Sequence, residues 1–240
     1  MTPYFRIIGL GEVLWDLFPD GDHFGGAPAN MACTAAGLLG PSGVVKLISA
    51  LGNDSRGRKA IDFLEQRHVD ISEMQITEAP TGSVTIQLDD SGQPLFNISG
   101  NSAWDHIAWS EHLRPLTANV DAICFGSLAQ RGNTSRHTIQ KFVGTTPANA
   151  LKVFDMNLRS PFYEPDTLIQ SLRLANVLKL NEQELCVVCE ILSISGDSTD
   201  VLKRLQDDYQ INSIALTQGS AGAVLIPVSY THLTLPTSFE

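Results

Sequence analysis

Short runs of consecutive apolar residues recur along this chain, and segments of helical periodicity separate most of them. An apolar run bounded by turn residues is typical of a strand that is buried on both faces. Such runs lie at residues 5–11, 44–51, 121–125, 151–155, 175–180, 213–217 and 221–226. The helical segments lie at residues 29–37, 56–67, 133–146, 166–174, 181–192 and 201–209. Regular alternation of strands and helices predicts a parallel sheet with helices on both faces.

Residues 75–98 have a different pattern. Apolar and polar residues alternate there in three short segments, at 75–77, 83–88 and 94–98. Residues 89–92, between the last two segments, have the composition of a hairpin turn. Alternation indicates a strand with one wet face. The sequence therefore predicts a small separate sheet, completed by a strand at about 12–18, that covers a site.

The composition limits the class of protein. The chain has 240 residues, a net charge of −10 and 43% hydrophobic residues, which indicate a soluble globular protein of one large domain or two small ones. No basic patch stands out, so neither nucleic acid nor an anionic membrane is expected as the main partner. Because no signal segment or membrane-length apolar run is found, a cytoplasmic location is expected.

The four cysteines are expected to be structural. Cys33 and Cys124 lie among apolar residues and are predicted to belong to the core. Cys186 and Cys189 have the spacing of a metal or redox pair, but they lie in a helical segment without a second pair. Buried helix positions are the favoured interpretation for both, in a reducing compartment.

The loop Gly25-Gly26-Ala27-Pro28-Ala29-Asn30 is the strongest local candidate for a binding site. Two adjacent glycines allow a ligand to approach the backbone closely. Pro28 suits the first position of a helix, where its missing N–H is no loss. A loop that leads into a helix N-terminus presents free N–H groups, together with the amide of Asn30, to a polar or anionic ligand.

A lone carboxylate, Asp16, stands between apolar residues upstream of this loop. It is either a surface residue of an alternating strand or a site group that faces the glycine loop. Two glycine patterns nearby fail as nucleotide motifs: Gly9-Leu10-Gly11 lacks the third glycine because position 14 is leucine, and residues 52–59 lack the Gly-Lys-Ser/Thr ending.

Ligands of parallel α/β sheets bind beyond the carboxyl ends of the strands. The segments that follow the later predicted strands are therefore further candidates: residues 126–131, 155–159, 181–184 and 217–222.

Together these motifs resemble the ribokinase-like (PfkB-type) carbohydrate kinases, and among them most closely the fructokinases. The resemblance covers about residues 5–226. It is carried, in chain order, by Gly11-Glu12-Val13-Leu14-Trp15-Asp16, by Gly25-Gly26-Ala27-Pro28-Ala29-Asn30, and by residues 125–131, 154–159, 181–184 and 217–222. It implies a three-layer α/β/α sandwich with a mostly parallel sheet and a small β lid, spanning residues 4–227.

The resemblance also implies roles for individual residues. Those that match sugar-binding positions are Asp16, Gly25, Gly26, Asn30 and Gln130, of which Gln130 matches least directly. A carboxylate accepts two hydroxyl bonds, and an amide both donates and accepts. Arg159 is implied to steady phosphate charge; the alternative is a surface ion pair worth about 1 kcal/mol or less.

The cofactors that the resemblance implies are ATP and Mg²⁺. Thr217, Gly219 and Gly222 match the turn that bounds the nucleotide. Asn181 and Glu184 match a pair that helps to place Mg²⁺ and the ATP phosphates, Glu184 through water. The same two residues also form the sequence pattern of a capping box, and the two roles are compatible.

The catalytic base of the family is an aspartate in a Gly-Ala-Gly-Asp segment, and no such segment occurs in this chain. The 240-residue chain is therefore expected to be inactive, although its parent gene encodes a kinase. Residues 228–240 resemble a translated DNA-library adapter and are expected to be foreign to that gene.

Several functions stay open at this point. The first is an ATP-dependent kinase for fructose, with ribose or 2-keto-3-deoxygluconate as rival sugars. The second is a sugar-binding fragment without catalysis. The third, a dinucleotide-dependent oxidoreductase, lacks its third glycine and an acidic residue at the end of the second strand. The family resemblance further implies that lid strands of two subunits can pair in a homodimer.

Overall fold

The structure, a computed structural model, describes residues 4–88, 94–227 and 233–235. Its strands are β1 (Phe5–Leu10), β2 (Leu14–Phe18), β3 (Gly21–Gly25), β4 (Gly43–Ile48), β5 (Ala50–Gly52), β6 (Gln75–Thr77), β7 (Gly82–Leu88), β8 (Pro94–Ile98), β9 (Ala122–Gly126), β10 (Leu151–Asp155), β11 (Val177–Asn181), β12 (Ser213–Thr217), β13 (Ala223–Pro227) and β14 (Leu233–Leu235). Its helices are α1 (Ala27–Leu39), α2 (Ser55–Glu65), α3 (Arg114–Thr117), α4 (Asn133–Thr145), α5 (Pro165–Leu174), α6 (Glu182–Leu192) and α7 (Ser198–Tyr209).

An eight-stranded sheet lies at the centre, in the order β14-β13-β12-β11-β10-β9-β1-β4. The six strands from β12 to β4 are parallel, whereas β13 and β14 are antiparallel additions at one edge. This arrangement confirms the predicted fold class. The strand β14 lies within the segment expected to be foreign, and the origin of that segment stays a prediction.

Apolar clusters cover both faces of this sheet, because successive side chains of a strand point to opposite faces. In β1, Ile8 belongs to the larger cluster, which also contains Phe125 and Phe154, and Ile7 packs against the smaller one. Helix α1 contributes Ala32 to the smaller cluster. Small alanine side chains let α1 lie close to β1 and β4, so its N-terminus sits over the end of the first strand.

The lid is a second sheet of four strands, in the order β3-β2-β7-β8. The prediction that residues 75–77 belong to it is wrong, because β6 pairs with β5 in a separate two-stranded sheet. The lid instead includes β3, which the sequence pattern did not indicate. The predicted strand at 44–51 is also divided in two, since β4 remains in the central sheet and β5 pairs with β6. The predicted hairpin turn at 89–92 lies outside the described residues.

The cysteines agree only partly with the expectation. Cys124 is buried and Cys33 and Cys189 are partly buried, but Cys186 is exposed on α6 and is not a buried helix position. Among the described residues, no helix combines the length and apolar character that a membrane crossing requires.

Candidate active site

A cavity of about 1010 Å³ lies between the lid and the carboxyl ends of β1, β10 and β11. Its polar and charged side chains come from the segment after β1, from β2, from α1, from the end of β10 and the segment after it, and from β11. They are Glu12, Asp16, Asn30, Thr34, Asp155, Asn157, Arg159 and Lys179. Apolar residues of the lid, including Val84 and Ile98, close the other side.

Asp16 projects from the lid into this cavity. It pairs in register with Val84 of β7, which pairs with Ile98 of β8, so the three side chains share the face that covers the cavity. Partial burial raises the pKa of the Asp16 carboxyl, while the positive charges of Arg159 and His23 oppose the rise. Asp16 therefore faces the glycine loop and the cavity, and its role as a site group stays a prediction.

Neither position of the Gly25-Gly26 pair has free space for a side chain. A Cβ on Gly25 would lie 2.8 Å from Oδ2 of Asp16, so a side chain there would displace the carboxylate. Gly26 has a φ of +109°, and a Cβ on it would lie 2.4 Å from the backbone oxygen of Glu12. The loop can therefore rest directly on the backbone after β1 only because Gly26 lacks a side chain, whereas a Cβ on Gly25 would meet side-chain atoms of Leu14 and Asp16.

Helix α1 begins directly after these glycines. Gly26 is its N-cap residue, and the Asn30 N–H donates to the Gly26 carbonyl oxygen at 2.9 Å. Pro28 occupies the second helical position rather than the predicted first, because the helix starts at Ala27. The exposed side chain of Asn30 lines the cavity one turn into the helix. Asp16, Gly26 and Asn30, which are distant in sequence, therefore line one cavity.

Glu12 is a cavity residue to which the sequence analysis gave no role. It is 1% exposed, and its Oε1 accepts the Ala27 N–H at 3.1 Å. Its Oε2 is buried and has no hydrogen-bond partner among the described residues. Burial raises the pKa of Glu12 to about 7, and Asp155 adds to the rise while Arg159 opposes it. The sequence signal was a carboxylate placed immediately after the first apolar strand.

The charged end of the cavity is formed after β10 and β11. Asp155 and Lys179 are neighbours in register, and Lys179 Nζ lies 2.7 Å from Asp155 Oδ1. Lys179 was also missed, because it sits within an apolar strand sequence. Arg159 lines the same cavity, and its Nη1 donates to the Leu158 carbonyl oxygen at 3.0 Å. The positive charge of Arg159 acts to lower the pKa of both Asp16 and Glu12.

Asn181 and Glu184 form the predicted capping box at the start of α6. The Glu184 N–H donates to Asn181 Oδ1 at 2.8 Å, and the Asn181 N–H donates to Glu184 Oε2 at 2.9 Å. Glu184 Oε1 also accepts the Leu158 N–H at 2.8 Å. This buried carboxylate therefore ties the start of α6 to the segment that carries Arg159.

The turn that was predicted to bound the nucleotide follows β12, at the carboxyl ends of the parallel strands. Thr217 is the register neighbour of Asn181 at the end of β12. Gly219 and Gly222 follow with φ values of +57° and +106°, in the left-handed region that favours glycine. Among the described residues, no atom lies within 4 Å of the place where a Cβ on Gly219 would stand, and its positive φ is the feature that favours glycine there. None of these three residues lines the large cavity.

Gln130 is not brought to the cavity. Its side chain is 1% exposed, and its Nε2 donates to the Gly126 carbonyl oxygen and to Ser171 Oγ, each at 2.9 Å. Its Oε1 accepts a bond from Gln140 at 3.3 Å. Gln130 instead lines a separate pocket of about 290 Å³. Because both ends of its amide are already bonded within the protein, it supports the fold rather than contacting a ligand in this cavity.

Comparison with known sequences decides the family. Residues 21–236 match the family described as pfkB family carbohydrate kinase. The chain belongs to this family. The match includes the glycine loop and Asn30, and the resemblance predicted from the motifs is confirmed.

Individual relatives agree with this assignment. The pfkB-family chain is 33% identical to a fructokinase of Klebsiella pneumoniae, over 90% of this chain and 72% of that protein. It is 31% identical to a fructokinase of Salmonella typhimurium, over 90% of this chain and 71% of that protein.

Solved structures share the fold. The apo fructokinase of Vibrio cholerae O395 superposes with a TM-score of 0.77 at 23% identity, covering 97% of this chain and 80% of that one. The sugar kinase PH1459 of Pyrococcus horikoshii, solved in complex with ATP, gives a TM-score of 0.75 at 25% identity, covering 98% of this chain and 78% of that one.

The raised pKa of Glu12 gives this kinase-family chain a testable pH dependence. The unfolded carboxyl titrates near its ordinary value of 4.5, whereas the folded one keeps its proton to about pH 7. The folded state binds this proton more tightly than the unfolded state does. The contribution of Glu12 to stability therefore falls as pH rises from 4.5 to about 7, and it does not change further above pH 7. At roughly 1.4 kcal/mol per pH unit, the total loss is about 3 kcal/mol.

Glu12→Gln should remove this dependence, since the amide is neutral at every pH and keeps an oxygen for the Ala27 N–H. Denaturant unfolding at pH 5 and pH 8 measures the difference. We expect the free energy of unfolding of the variant, relative to that of the parent, to rise by about 3 kcal/mol from pH 5 to pH 8. A difference between the two proteins that does not change with pH would contradict the assignment of this titration to Glu12.

Proposed function

We propose that this protein belongs to the fructose-phosphorylating members of its family and that the large cavity binds the sugar. The observation that carries this proposal is the convergence of Asp16, Gly26 and Asn30 on one cavity beside the carboxyl ends of the parallel strands. The fructokinase names of the two bacterial relatives support fructose over other sugars. Ribose and 2-keto-3-deoxygluconate are the rival substrates.

The side chains suit a polyhydroxylated ligand. The Asp16 carboxylate can accept bonds from two adjacent hydroxyls, and the Asn30 amide can both donate and accept. Gly26, without a Cβ, admits the ring close to the backbone. Val84 and Ile98 of the lid supply an apolar cover that excludes water from the bound sugar.

Phosphate charge would be met by cations that line the same cavity. In phosphoryl transfer the sugar hydroxyl oxygen bonds to the terminal phosphorus of the nucleotide, the bond to the leaving diphosphate breaks, and a base takes the hydroxyl proton. Arg159 and Lys179 line the cavity as the cations that can balance the transferred charge. ATP as donor is supported by the related PH1459 structure, which was solved with ATP.

A magnesium ion fits this chain only indirectly. Both oxygens of Glu184 already accept backbone N–H groups, one from Asn181 and one from Leu158, so each retains lone pairs for water rather than for close ligation. Asn181 and Glu184 would therefore hold Mg²⁺ through bound water, as the family resemblance implies. Mg²⁺, when bound, neutralises phosphate charge. The nucleotide would be bounded, at the same carboxyl ends of the strands, by Thr217, Gly219 and Gly222.

A second function, sugar binding without turnover, is favoured for the 240-residue chain by one observation. The chain contains no Gly-Ala-Gly-Asp segment, which in this family supplies the base and the N–H groups that face the phosphates. The residues that would hold the sugar are present, so binding and catalysis can be separated.

Calorimetry with fructose and a coupled assay with fructose, ATP and Mg²⁺ test both proposals together. We expect one fructose to bind per chain. Absence of fructose binding would contradict both proposals, and binding without turnover would favour the binding-only function for the 240-residue chain. Preferential binding of ribose or 2-keto-3-deoxygluconate would replace fructose as the substrate. Turnover of fructose at ordinary kinase rates would refute the binding-only function and leave the kinase proposal standing.

A further inference from the structure

We infer that Glu12 is a positioning residue for sugar binding, because its carboxyl group caps helix α1 from outside the helix and so fixes Gly26 and Asn30. The inference rests on the proposed function, since its effect is exerted on the sugar site. Glu12 is not placed against the sugar itself; it acts through the glycine loop.

The start of α1 lacks the usual means of capping. An N-cap residue normally uses a side-chain oxygen to satisfy one of the unpaired N–H groups of the first turn. Gly26 has no side chain, and Pro28 has no N–H. The Ala27 N–H is satisfied instead by Glu12, fifteen residues earlier in the chain, at 3.1 Å. Glu12 therefore takes over a task that the helix's own N-cap residue cannot perform.

The same residue also sets the position of the loop. The Gly26 Cα faces the Glu12 backbone so closely that an added Cβ would lie 2.4 Å from the Glu12 oxygen and 3.3 Å from Val13 Cα. The Asn30 N–H donates to the Gly26 carbonyl oxygen at 2.9 Å, which links the cavity-lining amide to the loop. A shift of residue 12 would therefore move Gly26 and Asn30 together.

Electrostatics favour an ionisable acceptor at this point. A helix N-terminus stabilises negative charge, so the ionised carboxylate is the stronger acceptor for the Ala27 N–H. Burial opposes ionisation, and the charged or titratable groups that act on the carboxyl are Asp155, Arg159 and the buried thiol of Cys124. Because the net effect of these influences is a raised pKa, the packed arrangement binds the Glu12 proton more tightly than an open one, and we expect the loop to be held less firmly above pH 7 than below it.

The test compares Glu12→Gln, which keeps an acceptor oxygen, with Glu12→Met, which has a similar length and no acceptor. Fructose affinity is measured by calorimetry from pH 6 to pH 8.5 in buffers of different ionisation enthalpy. We expect Glu12→Met to bind at least tenfold more weakly and Glu12→Gln to stay within threefold of the parent at pH 7. Parent affinity should fall as pH rises and fructose binding should take up part of a proton near pH 7, and Glu12→Gln should take up less.

Asp16 is unchanged in both variants, so its titration contributes equally to both sides of this comparison. A merely structural Glu12 would lower the melting temperature of Glu12→Met and leave the fructose affinity of the folded protein unchanged, which would overturn the inference. If Glu12→Met does not fold, equal proton uptake by the parent and Glu12→Gln overturns it.

Amide hydrogen exchange provides a readout that needs no sugar. We expect Ala27 and Asn30 to be equally protected in the parent and Glu12→Gln and to exchange at least tenfold faster in Glu12→Met. Equal protection in all three proteins would overturn the inference. Absence of fructose binding by the parent would instead count against the proposed function, and exchange would still decide the role of Glu12.

Discussion

Replacing Asp16 with alanine is expected to weaken fructose binding by about 100- to 1000-fold. A hydrogen bond to a charged group contributes about 1.5 to 3 kcal/mol, so two hydroxyls held by one carboxylate represent about 3 to 4 kcal/mol at the lower end of that range. The side chain is only partly buried and burial raises its pKa, so its removal should not destabilise the fold. Calorimetry with fructose measures the loss directly.

Asp20→Ala is the matched control for this experiment. Asp20 lies in the same lid hairpin, its side chain is 79% exposed, and it does not line the cavity. We expect its fructose affinity to equal that of the parent. Asp16→Asn should lie between the parent and Asp16→Ala, because the amide keeps one acceptor oxygen. If Asp16→Ala binds fructose as tightly as the Asp20→Ala control does, Asp16 is not part of the fructose site.

Replacing Arg131 with methionine is expected to lower the free energy of unfolding by about 3 to 5 kcal/mol, the range for leaving one partner of a buried ion pair uncompensated. Arg131 and Asp105 have side chains that are 11% and 10% exposed, and two bonds of 2.8 Å join them. The guanidinium also lies 3.9 Å above the Trp104 ring. Methionine would keep part of the packing and remove the charge.

Loss of this ion pair should also loosen the attachment of the lid to the central sheet. Arg131 Nη2 donates to the Ser99 carbonyl oxygen at 2.6 Å, directly after the last lid strand, and Asp105 Oδ2 accepts the Ser102 N–H at 2.9 Å. The pair therefore ties the chain leaving the lid to the segment after β9.

Denaturant unfolding of three further proteins makes this prediction specific. Arg204→Met breaks an exposed pair with Asp208, 3.3 Å apart, and should change stability by less than about 0.5 kcal/mol. The double variant Arg131→Met/Asp105→Leu should lose less than the sum of its two single variants, since no uncompensated charge remains. A loss below about 1 kcal/mol for Arg131→Met would contradict a buried, coupled pair.

The central sheet could be predicted because its strands are buried on both faces. The continuous apolar run at Ala122–Gly126 carries that signal in the local sequence. The lid was harder to predict. Gly21–Gly25 has two glycines and few apolar residues, so it becomes a strand only through its pairing with β2. The alternation at Gln75–Thr77 correctly indicated a strand but contained no information about its partner, β5.

The same distinction holds for the site. Asp16, Gly26 and Asn30 could be named from their motifs, and the fold brings them to one cavity. Gln130 could not be judged from sequence, because its bonds to Ser171 and Gln140 join residues on other helices. Glu12 was missed for a related reason. Its burial and its bond to Ala27 depend on how the lid hairpin folds back over the end of β1.

A crystal structure of this chain soaked with fructose tests the central claim most directly. We predict density for one ketohexose in the large cavity, with hydroxyls within hydrogen-bond distance of the Asp16 carboxylate and the Asn30 amide. Fructose bound elsewhere, or bound in the cavity without contact to either side chain, would contradict the account.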